Sequence, residues 1–206
     1  VALKRPGDKK KEYMAAVEST MLDLGTKAPD FTLPIVTGGI LTLSKYSKNS
    51  KGVVVAFICN HCPYVKHINE ELVNLANKYI QQGIGFVAIS SNDVENYPDD
   101  SPERMIEVAR KEDYPFPYLY DETQEVAKSY MAACTPDFFV FDRELSLTYR
   151  GQFDGSRPGN DQPVTGEDLE DAIKALLVGE GPVEKQIPSI GCNIKWIPGN
   201  EPDYFG

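Results

Sequence analysis

Cys59-Asn60-His61-Cys62 sets two thiols three residues apart, directly after the apolar run Val53 to Ile58 and directly before Pro63 and a stretch of helical periodicity. A strand that turns into a helix leaves backbone N–H groups unpaired at the helix start, beside the positive end of its dipole. Both favour a thiolate over a thiol. The chemistry this spacing offers is redox chemistry at sulfur.

The same C-x-x-C is also half of a tetrahedral zinc site, which defines the alternative use of Cys59 and Cys62. A second C-x-x-C is missing, so Cys134, Cys192, His61 or His67 would have to complete the site from distant loops. The expectation is therefore no metal. Phosphate-cradling glycine loops, H-E-x-x-H and nucleophile-elbow patterns are absent as well, and no cofactor is implied.

The elements that must position the thiols follow from periodicity. Phe31 to Pro34, Gly38-Gly39 and Ile40 to Leu43 predict a β-hairpin around a glycine turn. Val53 to Ile58 is a continuous β-branched and aromatic run, as expected of a central strand buried on both faces. Pro63 suits the first position of a helix to Gln82 that carries Ile68, Leu72, Leu75 and Tyr79 on one stripe, with Asn69, Glu70, Asn74 and Lys78 largely off it. Ile84 to Ser90 reads as a second buried strand, and Ser101-Pro102 opens a helix with Met105, Ile106, Val108 and Ala109. Asp121 and Gln124 resemble a capping box for a helix through Met131. Phe138 to Phe141 and Leu145 to Tyr149 predict a tight hairpin, and Thr165 and Asp168 the cap of a last helix with Leu169, Ile173, Leu176 and Leu177. Alternating strands and helices imply an α/β fold with a central mixed sheet of four or five strands between helices.

With 206 residues, 41% of them hydrophobic, the chain suits one domain able to bury a core without disulfide staples. The lysine-rich, aperiodic segment 1–13 before Met14-Ala15-Ala16 reads as an expression remnant, 14–180 as the domain, and 181–206 as a Gly- and Pro-rich tail. Ile187, Ile190, Ile194, Trp196 and Ile197 predict that this tail packs on the domain. A net charge of −10, with no basic stripe, argues against nucleic acid or an anionic membrane as partner. No apolar run approaches the roughly 20 residues that span a bilayer, so the chain reads as soluble. Four cysteines are too few for a disulfide scaffold and point to a reducing, cytoplasmic setting.

This order of elements, with Cys62 starting the helix after the first central strand, resembles the thioredoxin superfamily over roughly residues 22 to 180. Gly25, Ala28-Pro29-Asp30-Phe31 and Leu33 look like the opening G-x-x-A-P-x-F-x-L of its redoxin and alkyl hydroperoxide reductase/thiol-specific antioxidant branch. Phe57 to Val65, Cys134-Thr135-Pro136-Asp137-Phe138-Phe139 and Ser189-Ile190-Gly191-Cys192 are similar to a peroxiredoxin-like group within that branch. The resemblance implies an antioxidant-type oxidoreductase acting on a thiol or disulfide protein substrate or on peroxide, recycled by an external thiol reductant. It also implies Cys62 as nucleophile and Pro136 as a cis-proline facing it, with Thr135 beside it. Val65 stands where thioredoxins keep their second cysteine, so Cys59, Cys134 and Cys192 all stay open as partner thiols or as packing residues.

The peroxiredoxin signature P-x-x-x-T-x-x-C would need Pro and Thr where this chain has Val55 and Cys59, so the peroxide-orienting hydroxyl is absent, and no active-site arginine is visible near Phe138. That departure favours thiol–disulfide exchange. Lowering the Cys62 pKa from about 8.5 to about 7 takes roughly 2 kcal/mol, which a favourable helix terminus can supply alone. His61 or Lys66 then need add little, and His61 remains a candidate acid–base group. The Cys62 sulfur is expected to be exposed. A redox-sensing or partner-binding module without turnover is the other class of function open to such a chain.

Overall fold

A computed structural model of the protein describes residues 16–205, so the expected remnant at 1–13 lies outside the described residues. The elements in chain order are β1 (Ala16–Glu18), β2 (Thr32–Pro34), β3 (Ile40–Thr42), α1 (Leu43–Tyr46), β4 (Gly52–Phe57), α2 (Pro63–Ile80), β5 (Ile84–Ser90), α3 (Pro102–Lys111), β6 (Tyr118–Tyr120), α4 (Glu125–Ser129), β7 (Cys134–Thr135), β8 (Asp137–Asp142), β9 (Leu147–Gly151), α5 (Glu167–Val178) and β10 (Ile190–Asn193). The central sheet has the order β6-β5-β4-β8-β9. β4 runs parallel to β5 and β5 to β6, while β8 and β9 are antiparallel to their neighbours. This is the mixed five-stranded sheet that the sequence implies.

Every residue of β4 and β5 is buried, because the sheet carries a hydrophobic layer on each face. Val54 and Ala56 pack with Ile68, Leu72, Leu75 and Tyr79 of α2 on one side. Val53, Val55 and Phe57 point the other way, into a cluster with the β2–β3 hairpin, α4 and Trp196. That division is the two-residue period of a strand, and each fully buried side chain of Val or Phe size contributes roughly 1.5–3 kcal/mol. Tyr130 anchors the second layer, its ring within 6.0 Å of those of Phe31, Phe57, Phe139 and Phe141.

Four local expectations are corrected. Asp121 and Gln124 form no capping box: Gln124 is itself the N-cap of α4, in a left-handed conformation, and Asp121 reaches in to accept from Val126 N and Ala127 N. Gly166, also left-handed, starts α5 in place of Thr165 or Asp168; its N–H and that of Thr165 are taken by Asp154. Leu145 belongs to the β8–β9 turn with φ 57°, so β9 begins at Leu147. Asn69 sits within the buried face of α2, where its Oδ1 accepts from Tyr114.

The tail contributes to the site through a second sheet of order β1-β10-β7, which pairs Cys192 with Thr135. Gly191 permits this pairing, since a Cβ there would lie 2.0 Å from the Thr135 carbonyl oxygen and 3.1 Å from Pro136 N. Neither neighbour can yield, as both are backbone. Gly191→Ala is therefore expected to push β10 off the Thr135–Pro136 loop, costing about 1–3 kcal/mol in urea unfolding and speeding alkylation of Cys62 beneath it. Unchanged stability and unchanged alkylation would show that this contact does not hold the tail.

Candidate thiol site

Cys62 is the N-cap of α2, held in an extended conformation, with Pro63 as the first helical residue. It is fully buried, which corrects the expectation of an exposed sulfur. The reason is the tail: β10 lies along β7, so Cys192 and Thr135 close over the helix start. The Thr135–Pro136 peptide bond is cis. Cys62 Sγ lies 3.2 Å from the Thr135 carbonyl oxygen, to which its thiol donates.

Two further thiols flank the Cys62 sulfur. Cys192 and Cys59 both hydrogen-bond to it, and the N–H groups of Val65 and Cys192 aim at it too. With four donors directed at one sulfur, the Cys192 thiol first among them, Cys62 is held well below the ordinary thiol range despite its burial. The Thr135 carbonyl opposes ionisation, since a thiolate there faces an oxygen lone pair, but one acceptor is outweighed by the donors. The same bonds, with desolvation, push Cys192 and Cys59 upward and keep both protonated. Cys59 Sγ also lies 3.4 Å from Thr135 Oγ1. Cys134 makes its contacts elsewhere, donating weakly to the carbonyls of Pro136 at 3.8 Å and Ser189 at 3.9 Å, and burial raises its pKa.

Activation by neighbouring thiols can be measured. Iodoacetamide alkylation of Cys62 followed against pH is expected to show a midpoint below that of a free thiol, and Cys192→Ala is expected to move it upward. A wild-type midpoint at or above the free-thiol value would remove the activation.

His61 does not point freely into solvent. Its Nδ1 lies 2.5 Å from Asp100 Oδ2, its ring stacks on Tyr97 at 5.7 Å, and its Nε2 is buried without a hydrogen-bond partner. Sequence reasoning missed Asp100, which is fully buried. The available signal was Asp99-Asp100 before the Ser101-Pro102 helix start, which reads as ordinary N-terminal acidity. His67, by contrast, meets Ser156 Oγ at 3.2 Å.

Among the described residues, one trio brings three potential metal ligands within 4.8 Å of one another: Cys59, His61 and Asp100. Its geometry suits a hydrogen-bonded cluster better than a cation. The Asp100 carboxylate already accepts Asn60 N at 2.8 Å, His61 N at 3.2 Å, Asn92 Nδ2 at 2.7 Å and the His61 ring, filling its roughly four lone-pair sites. Nδ1 at 2.5 Å from the carboxylate oxygen is in direct hydrogen-bond contact with it and leaves no room for a metal between them.

A five-stranded mixed sheet with a buried thiol cluster at the first turn of α2, facing a cis-proline, defines a thioredoxin-fold protein. Residues 24–150 match the AhpC/TSA family, and the chain belongs to that family. The crystal structure of an uncharacterized conserved protein from Geobacillus kaustophilus is 58% identical, with TM-score 0.88 over 90% of this chain and 98% of that one. A hypothetical protein from Sinorhizobium meliloti 1021 is 49% identical, with TM-score 0.86 over 88% of this chain and 99% of its own. The thioredoxin domain of a thiol-disulfide oxidoreductase from Bacteroides vulgatus shares the fold at 18% identity, with TM-score 0.60 over 76% of this chain and 99% of that one. No curated protein matches.

Proposed function

We propose that the protein is a thiol–disulfide oxidoreductase whose nucleophile is Cys62. The observation that carries this reading is the convergence of three thiols, Cys59, Cys62 and Cys192, at the N-terminus of α2 beside cis-Pro136. Cys62 as thiolate attacks one sulfur of a substrate disulfide, the S–S bond breaks, and the second substrate sulfur leaves as a thiolate that takes up a proton. A partner thiol then attacks the Cys62 sulfur of the mixed disulfide, expels the first substrate sulfur and leaves an intramolecular disulfide. An external dithiol returns the protein to its reduced form, consistent with a reducing, cytoplasmic setting.

Disulfide exchange is favoured over peroxide reduction because Cys59, a thiol, occupies the place of the peroxide-orienting hydroxyl. Pro136 lines a shallow surface cleft with Tyr64, Phe153 and Ile190, separate from solvent-closed Cys62. The burial of Cys62 means that a protein substrate must lift β10, whereas a small disulfide needs less clearance.

Reduced protein mixed anaerobically with a small disulfide is expected to lose two thiols per chain, with Cys62 in the new disulfide by mass mapping. Stopped-flow mixing with hydrogen peroxide is expected to form sulfenate at Cys62 slowly. Fast sulfenate formation with negligible disulfide exchange would replace this reading with a peroxidase. Inertness in both assays would favour a module that binds a partner without turnover.

A further inference from the structure

Two protonated thiols touch the Cys62 sulfur, and a thiol must lose its proton before it can resolve a mixed disulfide. Cys59 lies beside a pair built to receive one. Cys59 Sγ, a ring nitrogen of His61 and a carboxylate oxygen of Asp100 are mutually within 4.8 Å. In the tautomer that donates from Nδ1 to Asp100, Nε2 carries the lone pair, and that Nε2 is buried with no hydrogen-bond partner. Asp100 does more than orient the ring. Its bonds from Asn60 N and His61 N fix the backbone of the turn that carries Cys59, and Asn92 Nδ2 fixes the carboxylate in turn. Tyr97 stacks on the His61 ring, nearly parallel to it, with 5.7 Å between ring centroids. Such a carboxylate–imidazole–thiol arrangement performs general-base work, with the third group holding the tautomer of the second.

Resting on the reading of Cys62 as nucleophile, we infer that Cys59 is the resolving thiol, with His61 as its general base and Asp100 as the positioning residue. In the mixed disulfide Cys62–S–S–R, the Cys59 thiol turns from Thr135 Oγ1 toward the imidazole, and the His61–Asp100 pair takes its proton at Nε2. The Cys59 sulfur then attacks Cys62 Sγ. The Cys59–Cys62 bond forms, the Cys62–SR bond breaks with its electron pair on RS⁻, and the imidazolium returns the proton to RS⁻. Two protein thiols are oxidised and the substrate disulfide leaves as two thiols.

The test is a single turnover with an aromatic disulfide that releases one coloured thiolate on attack and a second on resolution, in a Cys134→Ala background. Cys59→Ser is expected to release the first and not the second. His61→Gln is expected to slow the second phase roughly 100-fold and to leave the first within about threefold. Added imidazole is expected to restore the second phase in His61→Ala, which a merely structural histidine would not show. Asp100→Asn is expected to act on the second phase alone, with circular dichroism reporting that it folds. Loss of the second phase in Cys192→Ser but not in Cys59→Ser would overturn the assignment, as would equal slowing of both phases in His61→Gln. A wild-type protein with no first phase would instead sink the reading of Cys62 itself.

Discussion

Cys62→Ser is expected to abolish disulfide exchange, lowering the rate of the first chemical step by at least ~1000-fold while leaving the fold intact. Serine is close in size, and its hydroxyl can donate to the Thr135 carbonyl that the thiol now meets at 3.2 Å, so little packing is lost. What disappears is a sulfur whose pKa four surrounding donors lower, and a hydroxyl in the same place stays protonated. Cys134→Ser is the matched control, because that thiol is turned to the carbonyls of Pro136 and Ser189 and is expected to keep its rate within about threefold. The pair is read by the thiolate released from an aromatic disulfide, with thermal unfolding run alongside. Full activity in Cys62→Ser would identify another nucleophile and end the proposal. Full activity in both, with Cys192→Ser inactive, would move the chemistry to the tail.

The legible part of the molecule is the part that obeys local rules. Val53 to Phe57 alternates between two apolar layers whatever lies around it, and Pro63 starts a helix because its missing N–H costs nothing there, so β4, α2 and the position of Cys62 could be read from spacing. The departures come from partners that lie outside the fixed offsets of capping motifs and of strand or helix periods. Asp121 and Asp154 cap helices that do not begin beside them, and left-handed Gln124 and Gly166 supply the turns. Cys192 reaches Cys62 only because β10 pairs with β7, a contact that bridges the tail and the proline loop and that no periodicity encodes. Burial of the nucleophile follows from that pairing and was invisible for the same reason. Asp100 is 39 residues from the histidine it holds, and nothing in the acidic run before a helix distinguishes a buried carboxylate from a solvated one.

Arg150→Met is expected to cost about 3–5 kcal/mol near neutral pH, the largest stability effect outside the hydrophobic layers. Arg150 and Asp137 are both fully buried, with Nη2 donating to Asp137 Oδ2 at 3.0 Å and to the Met131 carbonyl at 2.8 Å. The guanidinium lies 4.5 Å over the Phe139 ring, while Nε, Nη1 and Asp137 Oδ1 have no partner. Removing one charge leaves the other uncompensated in a dry interior. Desolvation raises the Asp137 carboxyl to about 6, an effect that the nearby Arg150 charge only partly offsets. The folded state thus holds this proton more tightly than the unfolded chain, so the stability that protonation contributes is complete below about pH 4 and is lost as pH rises through about 6. Near pH 5 Asp137 is therefore largely neutral in wild type and variant alike, and the cost of Arg150→Met is expected to be about 1 kcal/mol smaller there than at neutral pH. Asp137→Leu combined with Arg150→Met is expected to recover most of the loss at neutral pH, because no charge is left buried. Urea titrations at both pH values measure all of this. A cost for Arg150→Met that is the same at pH 5 and at neutral pH would show that the arginine acts through packing on Phe139 and not through the carboxylate.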